Sequence, residues 1–131
     1  MTAPMKYIAH ANGGAPEVMH LAFTDQPQAG PGEVLIKVAS AGVNRPDCLQ
    51  RSGRYPPQPN ASPILGLEAS GHVVAVGDGV TRWQVGDAVC GLANGGAYAQ
   101  YVAIPQGQVL PVPAGLSWLQ AAALPQNYFT V

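Results

Sequence analysis

SAGVNRPDCLQRSGRYPPQPNASPILGLEASG, from Ser40 to Gly71, is an apolar run punctuated by glycine and proline. Strand-like segments flank it on both sides. Three positions in it stand out: Asn44, Tyr55 and the acid Glu68, which sits between Gly66 and Gly71. Pro46–Ser52 reads as one or two helical turns, because proline suits the start of a helix and Gly53 suits its exit. Arg54–Pro63 carries Pro56, Pro57, Pro59 and Pro63 and is neither regular helix nor central strand. Ile64–Val76 is strand-like, and its glycines mark bulges or close approach of another backbone.

Working outward, Glu33–Ala41 (EVLIKVASA) alternates, with Val34, Ile36 and Val38 on one face and Glu33, Leu35 and Lys37 on the other. That is the period of a half-buried strand. Lys6–Asn12 and Val18–Phe23 read as two strands joined by a tight hairpin turn at Asn12-Gly13-Gly14. Turn signals at Gly77-Asp78-Gly79, Gly86-Asp87 and Gly95-Gly96 separate further strands at Ala88–Leu92 and Ala97–Ile104, and Val109–Pro113 reads as an edge segment. Ser117 and Gln120 have capping-box spacing ahead of a helical Leu119–Leu124. Pro125–Val131 (PQNYFTV) opens a further helix and stops without a C-cap, so the chain is expected to be truncated. Many short strands followed by a helix indicate a mainly β fold, a partly closed barrel.

Composition excludes several classes. A chain of 131 residues fits one domain. It is 47% hydrophobic and only 10% charged, against about 25% charged in ordinary domains. Either a face is covered by another domain, or Gly (16) and Pro (13) occupy the surface. A net charge of −1 leaves no footprint for nucleic acid or an anionic membrane. There is no apolar run of about 18 residues and no secretory leader. Cys48 and Cys90 are far apart and read as reduced thiols of a cytoplasmic protein.

His10, His20, His72, Cys48 and Cys90 show no metal-ligand spacing, so no metal site is expected. Neither a G-x-S-x-G nucleophile nor a G-x-G-x-x-G phosphate loop is present. Asn44 can cap the helix that follows or hydrogen-bond a ligand's carbonyl or ribose. Tyr55 can be packing, or a phenol that meets a carbonyl or covers a flat ring. Glu68, if buried, needs a cation or backbone donors, and Arg45 is a candidate partner. The Ser40–Gly71 stretch is expected to line one wall of a cleft for cofactor and substrate.

The segments Ala41-Gly42-Val43-Asn44-Arg45-x-Asp47, Gly53-Arg54-Tyr55-Pro56, Ile64 through Val73, Gly86-Asp87-x-Val89 and Ala121 through Pro125 resemble the N-terminal domain of medium-chain dehydrogenases/reductases. Within that superfamily they are most similar to zinc-free quinone oxidoreductases, on the branch induced by a tumour suppressor in animals. The resemblance implies a GroES-like, partly open β-barrel over residues 1–116. Residues 117–131 would then begin the helices leading to a Rossmann domain that binds NADPH. Zinc-dependent relatives place Cys and His where this chain has Asn44 and Leu67, and an amide and an alkyl group cannot serve as zinc ligands. Hydride transfer from NADPH to a quinone without zinc is the implied reaction. The implied catalytic pair is Tyr55 and Asn44, with Asn44, Tyr55 and Thr130 contacting the cofactor. Dimerisation through the Rossmann domain is implied for the full-length protein, with the fragment alone inactive. The alternatives are a stand-alone binding module and an enone or enoyl reductase of the same superfamily.

Overall fold

The computed structural model describes residues 4–10, 13–53, 62 and 64–125. Its main sheet is antiparallel throughout. The strands are β3 (Glu33–Ala41), β4 (Glu68–Val76), β5 (Ala88–Leu92), β6 (Tyr101–Pro105) and β7 (Val109–Pro111), in the order β6-β3-β4-β5-β7. A separate pair, β1 (Pro4–Ala9) and β2 (His20–Asp25), aligns Ala9 with His20. Two short helices complete the chain, α1 (Arg45–Arg51) after β3 and α2 (Trp118–Ala122) after β7.

The alternation read in β3 is what fills the barrel. Val34 and Ile36 are fully buried and face Ile104 and Val102 of β6. Ala69, Val73, Val89, Ala93, Ala97 and Val109 complete the same cluster. Each valine or isoleucine of the cluster contributes about 1.5–3 kcal/mol on burial. Leu35, on the opposite face of β3, is buried as well, so the strand is covered on both sides there rather than half-buried. Register shifts at Leu35/Ile36 and at Val38/Ser40 interrupt the β3–β4 ladder. Such bulges add twist and bend, which curls the sheet. The pair β1–β2 joins this curl through residues 98–100, where Ile8 N donates to Tyr98 O (2.9 Å) and Gln100 N to Lys6 O (3.1 Å). Gln100 O in turn accepts from Val38 N at 2.7 Å. The outcome is a mainly β, partly open barrel, as the run of short strands led one to expect.

Three local expectations change. The connection between β1 and β2 is not a tight hairpin turn, since it carries a 3₁₀ turn at Pro16–Val18. Asn12 lies outside the described residues, and Gly14 serves to dock the loop on α1: Gly14 N donates to Arg51 O (2.8 Å) and Arg51 Nε to Gly14 O (3.1 Å). The strand β6 starts at Tyr101, not Ala97, because residues 98–100 bond to β1 and β3 irregularly. The strand β4 starts at Glu68, because Gly66 at φ +109 breaks the extended run before it.

α2 packs against β3, β4 and β5. Its capping box forms as expected, with Gln120 N donating to Ser117 Oγ (3.2 Å) and Ser117 N to Gln120 Oε1 (2.9 Å). Ala121 and Ala122 are buried, and their small side chains let the helix approach the sheet. Buried Ser70 of β4 donates to Trp118 O at 2.7 Å, and the Trp118 ring meets His72 edge-on at 4.8 Å. None of the helices among the described residues is long and apolar enough to cross a membrane.

Gly71 is the close-approach glycine that the sequence suggested. A Cβ there would lie 2.9 Å from the Lys37 carbonyl carbon and nearer still to its oxygen. The obstacle is backbone held in the sheet, so it cannot rotate away. Gly71→Ala is therefore expected to lower the unfolding free energy by about 1–3 kcal/mol, as read by urea denaturation. A loss within experimental error would show that β3 and β4 separate freely at this point.

Candidate functional site

Antiparallel pairing of β3 with β4 sets Ala41 opposite Ala69. The end of one strand and the start of the other therefore share one rim of the barrel. The chain leaves β3 through Gly42 and Val43, reaches Asn44, and enters α1, while Glu68 opens β4 at the same rim. Residues 24 positions apart in sequence meet there: Asn44 Nδ2 donates to Glu68 Oε1 at 2.9 Å. Glu68 is 2% exposed, so its carboxylate needs that donor. Gly42 makes room for it. A Cβ at Gly42 would fall 2.6 Å from Glu68 Cδ, and Gly42 N already donates to Glu68 O at 3.2 Å.

Asn44 occupies the N-cap of α1 in extended conformation, as one of its two sequence readings held. Its main-chain N–H donates to Asp47 Oδ2 at 3.0 Å. That same oxygen accepts from the Tyr98 hydroxyl at 2.9 Å. Asn44 is thus gripped from two sides, its main chain by Asp47 and its side chain by Glu68. Arg45, the candidate partner for Glu68, is exposed, and the amide of Asn44 makes a contact with the carboxylate. An amide brings a donor to the carboxylate without a second charge to desolvate.

Burial raises the Asp47 carboxyl above its ordinary value, against the opposing pull of the Asn44 amide, the Tyr98 hydroxyl and the Gly66 amide. The Gly66 amide faces the carboxylate, but no hydrogen bond closes on Oδ1 among the described residues. Burial, and next the charge of Asp47, push the Tyr98 phenol far up, so its proton stays in place to be donated. Cys90, buried in β5, is raised by burial and then by the Glu68 charge, which keeps it a thiol.

Of the residues singled out from sequence, Asn44 and Glu68 come together. Tyr55 and Thr130 lie outside the described residues. Gly42, Asp47 and Tyr98 also build the rim, and none was singled out from sequence as a site residue. Asp47 had a signal, since Asn-x-x-Asp has capping-box spacing, whereas Tyr98 is 51 positions from its partner and has none. Cavities of about 350 Å³, between β2 and β6, and about 590 Å³, beside His10 and His20, lie apart from this rim. No group of three His, Cys, Asp or Glu able to hold a metal ion occurs among the described residues.

The raised Asp47 value has a signed consequence. The folded chain holds this proton more tightly than the unfolded chain does. Asp47 therefore favours folding more as pH falls through its raised value toward 3.8. Relative to Asp47→Asn, the native protein should gain melting temperature between neutral pH and about pH 4. The opposite slope would mean that the three donors outweigh burial.

Comparison with known proteins places this rim in context. The model of the alcohol dehydrogenase GroES-like domain matches residues 30–114. The synaptic vesicle membrane protein VAT-1 homolog of Rattus norvegicus is 38% identical over 104 residues, which is 79% of this chain and 26% of the rat protein. Among solved structures, the quinone oxidoreductase from Coxiella burnetii superposes with TM-score 0.82 at 33% identity, covering 94% of this chain and 41% of that one. CurK enoyl reductase gives 0.85 at 27% identity, covering 97% and 40%. A mycobacterial protein solved in complex with NADPH gives 0.80 at 38% identity, covering 90% and 37%. The chain thus spans about a quarter of that curated relative and about two fifths of these solved chains. On this match, and with quinone oxidoreductases and an enoyl reductase as structural neighbours, the chain belongs to the alcohol dehydrogenase GroES-like domain family, in the medium-chain dehydrogenase/reductase superfamily of oxidoreductases.

Proposed function

We propose that this chain is the catalytic domain of a cytoplasmic, NADPH-dependent quinone oxidoreductase that works without zinc. The observation that carries the reading is the Asn44 amide, held on buried Glu68 at the barrel rim of a fold shared with quinone oxidoreductases. When bound, NADPH supplies a hydride from C4 of its nicotinamide, and a quinone needs little beyond positioning and a hydrogen bond to take it. Asn44, half-buried and fixed at two points, keeps a second side-chain N–H for the cofactor's ribose or carboxamide. Tyr55 and Thr130, both outside the described residues, are assigned to the acceptor and nicotinamide by family resemblance alone. The donor chemistry at the rim suits this assignment: the Asn44 amide is committed to a carboxylate, and Leu67 offers only an alkyl group, so neither ligates zinc. The partner that completes the cleft is a Rossmann domain, through which the full-length protein dimerises.

The test is NADPH oxidation by the full-length natural protein with a simple benzoquinone or naphthoquinone. Turnover that survives metal chelation is expected. Asn44→Ala should raise the KM for NADPH roughly tenfold, the value of one to two lost hydrogen bonds, and Tyr55→Phe should lower turnover or weaken NADPH binding. Unchanged kinetics in both variants would remove these residues from the site. Residues 1–131 alone should show no micromolar affinity for NADPH by calorimetry, because no phosphate-cradling glycine loop is among them. Micromolar binding would contradict that.

A second reading has specific support in CurK enoyl reductase among the structural neighbours. An enone or enoyl thioester would then be the acceptor. Turnover of such a substrate with none of the quinones would decide for it.

A further inference from the structure

We propose that Tyr98 is a positioning residue for Asn44: its hydroxyl holds Asp47, and Asp47 holds the Asn44 main chain, so that the rim amide is aimed by a residue of the barrel's closing seam. The inference rests on the reading of Asn44 as a ligand contact only where ligand affinity is concerned.

The contacts form a closed circuit. Tyr98 OH and Asn44 N share the single oxygen Oδ2 of Asp47, at 2.9 and 3.0 Å. Asn44 Nδ2 reaches Glu68 Oε1 at 2.9 Å. From Glu68 the chain runs back to Leu65, whose carbonyl accepts from Tyr98 N at 2.9 Å. Tyr98 is also fixed on its other side, where its carbonyl accepts from Ile8 N of β1 at 2.9 Å. Gly66 is shaped to this ring, since a Cβ there would lie 2.6 Å from Tyr98 Cδ1. Asp47 is 2% exposed, so water does not replace the phenol as its donor. The phenol keeps its proton, as burial and the Asp47 charge both oppose ionisation.

A short helix of this length is marginal by itself and takes its position from what it packs on. The Tyr98–Asp47 bond ties the first turn of α1 to the seam where β1 meets residues 98–100. Removing it leaves the Asp47 carboxylate free to turn, so its hold on Asn44 N loosens and the amide beyond gains room. A purely structural bond would lower stability without changing how Asn44 presents itself, and the two cases separate experimentally.

The experiment is Tyr98→Phe in the full-length protein, which deletes one hydroxyl and keeps the ring. Amide hydrogen exchange at Asn44 should quicken roughly tenfold while exchange at Ile36 and Ile104 stays unchanged. The KM for NADPH should rise about fivefold or more with kcat held within about twofold. In an Asn44→Ala background the same substitution should add less than about twofold, because the residue it positions has gone. If Tyr98→Phe fails to fold, Asp47→Asn with the same readouts takes its place. A lower melting temperature with unchanged Asn44 exchange overturns the proposal, and so does a KM effect that persists undiminished in the Asn44→Ala background. Faster Asn44 exchange with no change of KM in either single variant upholds the positioning role and removes Asn44 from the cofactor site instead.

Discussion

A buried carboxylate must be given a donor, and in this chain that requirement organises one end of the barrel. Glu68 opens β4 in an almost water-free position, where an unpaired charge costs several kcal/mol. The antiparallel ladder brings the end of β3 alongside, and Asn44 supplies the donor. Gly42 leaves the space that the carboxylate occupies. Sheet register, a missing side chain and an amide thus act together to bring Asn44 onto the acid.

The second carboxylate, Asp47, solves the same problem differently. It takes two donors on one oxygen and keeps the other without a closed bond among the described residues. Burial then outweighs its donors and raises its affinity for a proton. Glu68 fastens a side chain and Asp47 fastens a backbone, so Asn44 has little freedom left. A rigid polar group on a barrel rim is what orientation of a flat ligand requires.

Much of this was legible in the sequence, and what was not had physical reasons. The alternation of Val34, Ile36 and Val38 announced the central strand, and Ser117 with Gln120 announced the cap of α2, because both signals are local. Asn44 stood out as a polar residue between a strand and a proline-led helix. The pairing of Asn44 with Glu68 was not foreseen, because it depends on where the helix begins after β3. Tyr98 could not be foreseen, since only the closing of the barrel brings residue 98 to residue 47. The turn between β1 and β2 was misjudged because Asn-Gly is a hairpin signal only when no neighbour competes for the loop, and here the end of α1 does.

The two cysteines differ in a way that has a practical side. Cys90 is sealed in β5 and holds its proton tightly, so alkylating reagents find little thiolate there. Cys48 lies half-buried on α1, one turn beyond Asn44. A fluorine or spin label attached to residues 1–131 would settle on that sulfur in preference to Cys90, giving a spectroscopic view of the helix start.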